Sequence, residues 1–232
     1  MAATDALWCV VPAAGRGARV GGEIPKQYLP IAGKPMLLHA LERLAAHPRI
    51  AGLIVVLEAG DARWPKWLTF GGKPVSTTIG GVERADSVLA GLRALRGTVE
   101  ESQFVLVHDA ARPCVRAADI SRLVEQGIPA GGALLAAPVR DTLKRADAQG
   151  RVVATEPREA RWRALTPQMF RHGELIAALE SARAAGIAIT DEAMAMERAG
   201  HNPLLVEGSE DNIKVTTPAD FALAEFILKT SA

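Results

Sequence analysis

The sequence predicts an α/β protein in which a mostly parallel, twisted sheet is flanked by helices and carries a projecting β-hairpin arm. Three observations predict it. Short continuous apolar runs such as "ALWCVVPA", "GLIVVLEA" and "FVLVH" have the unbroken hydrophobicity of strands buried on both faces. Segments with leucines at helical spacing alternate with those runs, as crossovers between parallel strands require. Residues 139 to 166 are too polar for a central strand and break the alternation.

The first strand, "ALWCVVPA", ends where Gly15 and Gly17 open a loop; residues 11 to 28 read "VPAAGRGARVGGEIPKQY", with Pro12 and Pro25 as rigid brackets. In "KPMLLHALERLAAH", Leu37, Leu38, Leu41 and Leu44 recur at helical spacing, and Pro35 stands near the first turn, where a missing N–H does no harm. "GLIVVLEA" predicts the next buried strand and "PVSTTIGG" a shorter one. "ERADSVLAGLRALRG" sets Val88, Leu92 and Leu95 on one stripe that Gly97 stops. "FVLVHDAARP" is an apolar strand running into polar residues, and "AADISRLVEQG" is a short helix. Within 139 to 166, "TLKRADAQGRVVAT" has strand-like flanks around "DAQG" and reads as a hairpin. Such an arm cannot bury both faces alone, which makes it a candidate dimer contact. Helices follow at about 171–185 and 190–199, then "PLLVEG", a short strand at "NIKVT" and a last amphipathic helix beginning near "TPADFALAEF". No repeat, low-complexity tract or linker divides the chain, so residues 1–232 read as one domain with 139–166 as its arm.

The 27 Lys and Arg against 26 Asp and Glu leave a net charge of +1, so no whole-molecule field draws the chain to nucleic acid or anionic lipid. A polyanionic partner must be small and met locally. No run approaches the roughly 18 apolar residues of a membrane span. "MAATDALWCVVPAAG" lacks the basic start of a signal peptide, carries Asp5 and reads as a strand. Cys9 and Cys114 match no zinc or redox spacing and sit in apolar surroundings, where reduced buried thiols are common. The expected setting is the cytoplasm.

In parallel sheets ligands bind beyond the carboxyl ends of the strands. Polar clusters stand there, after "VVPA" and after "LVH". The first is no Walker A loop, because Gly22 is followed by Glu23 rather than lysine, and no dinucleotide fingerprint, because "GRGARV" has Val20 where a small residue is needed. What remains is a chain of backbone N–H groups able to wrap a polyphosphate, with Arg16, Arg19 and Lys26 to neutralise it. One cation about 4 Å from a phosphate oxygen, at an effective dielectric near 20, is worth on the order of 4 kcal/mol before desolvation. A glycine-rich connection with solvated basic residues is the alternative that composition leaves open. In "HDAARP", Asp109 can face Mg2+ and Arg112 a second anion, or the pair can belong to a helix-capping turn. Lys214 in "EDNIKVT" either meets an anion or snorkels to water. His39, His47, His108, His172 and His201 form no ligand constellation and read as structural; Met194 and Met196 read as packing.

Taken together, "VPAAGRGARVGGEIPKQY", "GGVERADSVLAGL", "VLVHDAARP", "APVRDTLKR", "ALTPQMF", "ITDEA" and "VEGSEDNIKVTTPADFALAE" occur in the order and spacing of the 2-C-methyl-D-erythritol 4-phosphate cytidylyltransferases. The sequence resembles that family over nearly its whole length. The resemblance implies a Rossmann-like fold of nucleotidyltransferase type. It also implies transfer of CMP from CTP to methylerythritol phosphate, with pyrophosphate released, in non-mevalonate isoprenoid biosynthesis. Ribitol 5-phosphate cytidylyltransferases share the scaffold and the CTP site but match "DAARP" less well. A ribitol phosphate or other polyol phosphate acceptor is the alternative activity, and a non-catalytic nucleotide-sensing module a third reading.

The resemblance further implies Mg2+ bridging the triphosphate and no covalent enzyme intermediate, so that positioning and charge neutralisation supply catalysis. Carried over by position, Arg19 and Lys26 stabilise the transition state and the leaving pyrophosphate. Ala13, Ala14 and Gly15 lie against the nucleotide, Gly81 and Ser87 meet the cytosine, and Asp109 sits near metal and ribose with Arg112 beside it. Lys214 and Arg158 resemble the pair that positions the acceptor phosphate, with Thr142 and Thr166 as hydroxyl contacts. Arg158 lies on the arm and serves its own site or, in a homodimer, the partner's. Two positions depart from the family pattern: Val82 stands where a polar or acidic residue is expected near the base, and Arg16 where a bulky one is often found.

Overall fold

The structure, a computed structural model, describes residues 6–15 and 24–230. The run "ALWCVVPA" forms β1 (Leu7–Pro12), inside an eight-stranded sheet. From it the chain passes through a small ribbon, β2 (Pro30–Ile31) and β3 (Lys34–Pro35), into α1 (Met36–Ala45), and returns beside β1 as β4 (Ile50–Leu57). β5 (Thr69–Phe70) and β6 (Lys73–Ile79) extend that side. α2 (Arg84–Ala94) then carries the chain back to the opposite flank of β1, where β7 (Phe104–Val107), α3 (Ala117–Ala130) and β8 (Gly132–Pro138) follow. β9 (Leu143–Ala146) and β10 (Val152–Glu156) make a separate hairpin. β11 (Trp162–Arg171), α4 (His172–Ala184), α5 (Glu192–Arg198), β12 (Leu204–Glu207) and α6 (Pro218–Thr230) complete the fold. The strand order is β12-β8-β11-β7-β1-β4-β6-β5.

β1 is parallel to both β4 and β7, β4 to β6, and β8 to β12, whereas β11 runs antiparallel between β7 and β8. The direction of winding therefore reverses at β1. Both faces of β1 are buried: Cys9 and Val11 pack with Leu37, Leu41 and Leu44 of α1, and Val10 with Val88, Leu89 and Leu92 of α2, each at most 2% exposed. α2 approaches the sheet closely because Gly91 has no side chain; a Cβ there would stand 2.5 Å from Cγ1 of Val10 and 2.9 Å from Cγ2 of Val56. α6 closes a third cluster, packing Ala224, Ile227 and Leu228 with Met36, Cys114 and Val215.

Three expectations need correction. β8 and β11 are sheet strands that the sequence pattern conceals. β8 is alanine-rich, and β11 contains Pro167, whose missing N–H argues against a central strand. The sheet accommodates the proline through an irregular register between Ala164 and Gln168. Trp162 to Thr166 therefore belong to the sheet, and the hairpin is shorter than 139–166: its strands span Leu143 to Glu156 around a turn in which Gly150 N–H donates to the Asp147 carbonyl. Lys214 lies in a loop rather than a strand, because the neighbouring Val215 N–H bonds to the loop carbonyl of Ala111. No helix among the described residues is long and apolar enough to cross a membrane. Cys9 and Cys114 are buried free thiols, and burial pushes Cys114 up to about 11.

Candidate active site

Where the winding reverses, the carboxyl ends of β1 and β7 leave a cavity of about 230 Å³. Ala13, Ala14 and Gly15 border it directly after β1; Lys26 and Gln27, Gly81 and Ser87, and Asp109 and Lys214 contribute the rest of the polar wall. A second cavity of about 240 Å³ is lined by Arg112, Thr166 and Thr190, and it shares Arg84, Asp109 and Lys214 with the first.

Hydrogen bonds tie the motif loops to one another. Lys26 Nζ donates to the carbonyl of Val215 at 2.7 Å, and Gln27 Nε2 to the carbonyl of Ala13 at 2.6 Å. The guanidinium of Arg112 donates to the carbonyls of Asn212 at 2.7 Å and Ala164 at 3.3 Å, and its buried Nε has no partner among the described residues. Asn212 Nδ2 in turn donates to the carbonyl of Thr166 at 2.7 Å. Gly80 brings the loop before α2 against the end of β1. A Cβ on Gly80 would stand 2.6 Å from both Ala14 Cβ and Ser87 Oγ, and Ser87 Oγ accepts from the Gly81 N–H at 3.2 Å.

Asp109 is 6% exposed and held from three directions. Its backbone N–H donates to Thr166 Oγ1 at 3.1 Å; that hydroxyl donates to His108 Nδ1 at 3.1 Å, and His108 Nε2 donates to the Arg112 carbonyl at 3.0 Å. This order suits a neutral imidazole, and burial lowers His108 to about 4. At the carboxylate, Arg84 reaches Oδ1 at 2.7 Å and Lys214 Nζ reaches Oδ2 at 2.7 Å. Burial alone raises the Asp109 carboxyl, but the Arg84 and Lys214 charges outweigh it and hold the group well below the usual carboxylate range.

Arg84 and its second partner escaped the sequence reading. The guanidinium also clasps Glu192, at 2.6 Å to Oε1 and 3.1 Å to Oε2, and Glu192 is 1% exposed. A clue was available: Arg84 opens α2, and the positive end of a helix disfavours a cation unless carboxylates surround it. Glu192 opens α5, where an acidic residue is favoured.

The remaining predicted residues divide by location. Arg19 and Arg16 lie outside the described residues. Thr142 and Arg158 are exposed on or beside the hairpin and line neither cavity; Arg158 donates to the carbonyl of Arg140. Val82 borders the first cavity and is 96% exposed, and its apolar side chain has no hydrogen-bonding group to offer a base. His39, His47 and His172 each meet a protein partner, respectively the Ile31 carbonyl, Ser121 Oγ and the Leu92 carbonyl. Among the described residues no group of three or more His, Cys, Asp or Glu could hold a metal on protein ligands alone. Asp109 does suit a hard cation that takes one carboxylate and completes its shell with phosphate oxygens and water.

A cation-walled crevice bordered by small residues at the switch point of such a sheet has the form of an α/β nucleotide-binding site. The chain belongs to the 2-C-methyl-D-erythritol 4-phosphate cytidylyltransferase family, whose model matches residues 7–230. A protein of that name from Stenotrophomonas maltophilia K279a is 60% identical over 228 residues, 98% of each chain. One from Xanthomonas euvesicatoria is 59% identical, over 97% of this chain and 86% of its own. The crystal structure of the Francisella tularensis 2-C-methyl-D-erythritol 4-phosphate cytidylyltransferase aligns with a TM-score of 0.82 at 32% identity, over 96% of this chain and 99% of that one.

Proposed function

We propose that this chain transfers CMP from CTP to 2-C-methyl-D-erythritol 4-phosphate, giving 4-diphosphocytidyl-2-C-methyl-D-erythritol and pyrophosphate in non-mevalonate isoprenoid biosynthesis. The observation that carries the reading is the convergence of Lys26, Asp109 and Lys214, from three distant motifs, on one crevice.

In this reading CTP occupies the first cavity. Ala13, Ala14 and Gly15 lie along the nucleotide, Gly81 and Ser87 face the cytosine, and backbone groups there read the base edge. Lys26 and Arg19 neutralise the triphosphate and the pyrophosphate that leaves. The acceptor phosphate enters the second cavity against Lys214, with Arg112 and the Thr166 hydroxyl nearby. One of its oxygens attacks the α-phosphorus in line, so catalysis consists of alignment and charge neutralisation. Asp109 meets the ribose and would hold Mg2+ through Oδ2, which keeps a lone pair beyond its bond to Lys214, whereas Oδ1 takes both Nε and NH2 of Arg84. When bound, Mg2+ neutralises the triphosphate oxygens. Arg158 and Thr142 complete the acceptor site across a homodimer in which the hairpin reaches the partner, and the enzyme works in the cytoplasm.

The test is pyrophosphate release by the purified protein with CTP and Mg2+, using methylerythritol phosphate and ribitol 5-phosphate in parallel. Release with methylerythritol phosphate alone is expected. Release with ribitol phosphate alone moves the acceptor, and silence with both, although CTP binds by calorimetry, points to a nucleotide sensor.

A further inference from the structure

The two cavities share three side chains, Arg84, Asp109 and Lys214, and Arg84 is the one that also pairs with Glu192, a buried carboxylate that lines neither cavity. We infer that Arg84, gripped from behind by Glu192, is a positioning residue that fixes the Asp109 carboxylate, and through it Lys214, between the nucleotide and acceptor cavities. The inference rests on the cytidylyltransferase reading of those cavities.

The geometry is that of a fork with two clients. Arg84 Nε and NH2 address Oδ1 of Asp109, while NH1 and NH2 address the two oxygens of Glu192. A guanidinium used on two sides cannot rotate about its stem, so the position of Oδ1 is set by α2 as well as by β7. Glu192 is itself located by β11: Gln168 Oε1 accepts from the Ala193 N–H at 2.8 Å, and Gln168 Nε2 donates to Asp191 at 3.0 Å. Thr166, two residues earlier on the same strand, takes the Asp109 N–H. Both carboxylates that hold Arg84 are thus referred to one strand. Lys214 is 39% exposed, and Asp109 Oδ2 at 2.7 Å draws its ammonium to the same wall. A wall built this way sets the distance and angle between two bound phosphates, and displacement of a reacting group by about 1 Å is enough for a roughly hundredfold loss.

The experiment compares kcat and the KM values for CTP and methylerythritol phosphate, by pyrophosphate release, in the wild type and four variants, with thermal unfolding as a fold check. Arg84→Gln is expected to lower kcat about a hundredfold while the KM for CTP moves less than about threefold. Arg84→Lys is expected not to rescue, because an ammonium cannot span both carboxylates. Arg84→Met combined with Glu192→Leu replaces the buried pair by apolar groups, so the fold is expected to persist. Its kcat should fall as far as in Arg84→Gln, not by the product of two losses, because Glu192 acts through Arg84. Glu192→Gln, which keeps shape and one hydrogen bond, is expected to lose about tenfold and carries the same test should the paired variant unfold. Wild-type kcat in Arg84→Gln or in the paired variant, or a loss confined to the KM for CTP, overturns the inference while leaving the activity standing. A wild type silent with every acceptor overturns the activity and this inference together.

Discussion

Lys26 donates to the carbonyl of Val215 across 189 residues of sequence, at 2.7 Å, and the N–H of Val215 donates to Ala111 at 2.8 Å. One residue thereby joins the end of the first loop to the "DAARP" and "NIKVT" motifs. In the proposed reading, a triphosphate arriving in the crevice draws on the same ammonium. Lys26→Met, which keeps the stem and removes the charge, is expected to lower kcat on the order of a hundredfold or more, as loss of a preorganised charge donor does. Steady-state pyrophosphate release checks it, and a rate within threefold of wild type would refute the role.

Thr166 is fully engaged, its hydroxyl accepting from the Asp109 N–H and donating to His108. Thr166→Val preserves shape and leaves that buried N–H unpaired. The expected loss is about 1–3 kcal/mol of unfolding free energy, with Thr166→Ser closer to wild type. Chemical denaturation of the three proteins decides it; equal stability of the valine variant would mean that the N–H finds another partner.

His108 makes the fold acid-sensitive in a defined window. Its folded pKa of about 4 lies below the unfolded value near 6.5, so the unfolded chain takes the proton first as pH falls. Stability is retained above the unfolded value and declines through the interval down to the folded one. The contribution lost between pH 7 and pH 5 is about 2 kcal/mol. The lowered Asp109 carboxyl adds to the decline only in more acid solution, below the ordinary carboxylate range. Denaturant midpoints of wild type and His108→Gln at the two pH values test this: the variant should show the shallower dependence, and parallel curves would assign the sensitivity elsewhere.

The parts legible from sequence were those with local rules. Strand β1 and helices α1 and α2 announced themselves through apolar runs and leucine spacing, and the crevice followed from where polar residues succeed apolar ones. The parts that stayed hidden depend on contacts between distant residues. β11 escaped because Pro167 is tolerated only through a register break supplied by β8. Glu192 escaped because an acidic residue at the start of a helix is ordinary, and Arg84 because the carboxylates that offset its place at a helix start come from distant parts of the chain. Lys214 looked misplaced in a strand because its neighbours are apolar; the loop it occupies is set by Ala111 and Arg112, about a hundred residues earlier.

Gly91 offers a test of the packing that carries α2, and with it Arg84, Ser87 and the loop before the helix. The contacting atoms are methyl groups of Val10 and Val56 on adjacent strands, which have little room to yield. Gly91→Ala should therefore destabilise by about 1–3 kcal/mol, despite the better helix propensity of alanine. An unfolding midpoint at or above that of wild type would show that the helix can shift outward without penalty.

The hairpin carries the last expectation. Val152 and Val153 are 64% and 54% exposed, and among the described residues β9 and β10 pair only with each other, so the ribbon has little to hold it in one chain. If it docks on a second copy and supplies Arg158 there, removing residues 143–155 should give a monomer without activity, read by sedimentation and by pyrophosphate release. Mixing separates trans from cis. Lys26→Met and Arg158→Ala, each inactive alone, form one intact site per mixed dimer if the site is shared, so random exchange should restore about a quarter of wild-type activity. No recovery, with exchange verified by differently tagged subunits, would place Arg158 in its own chain's site, and a fully active monomer would end the shared-site idea.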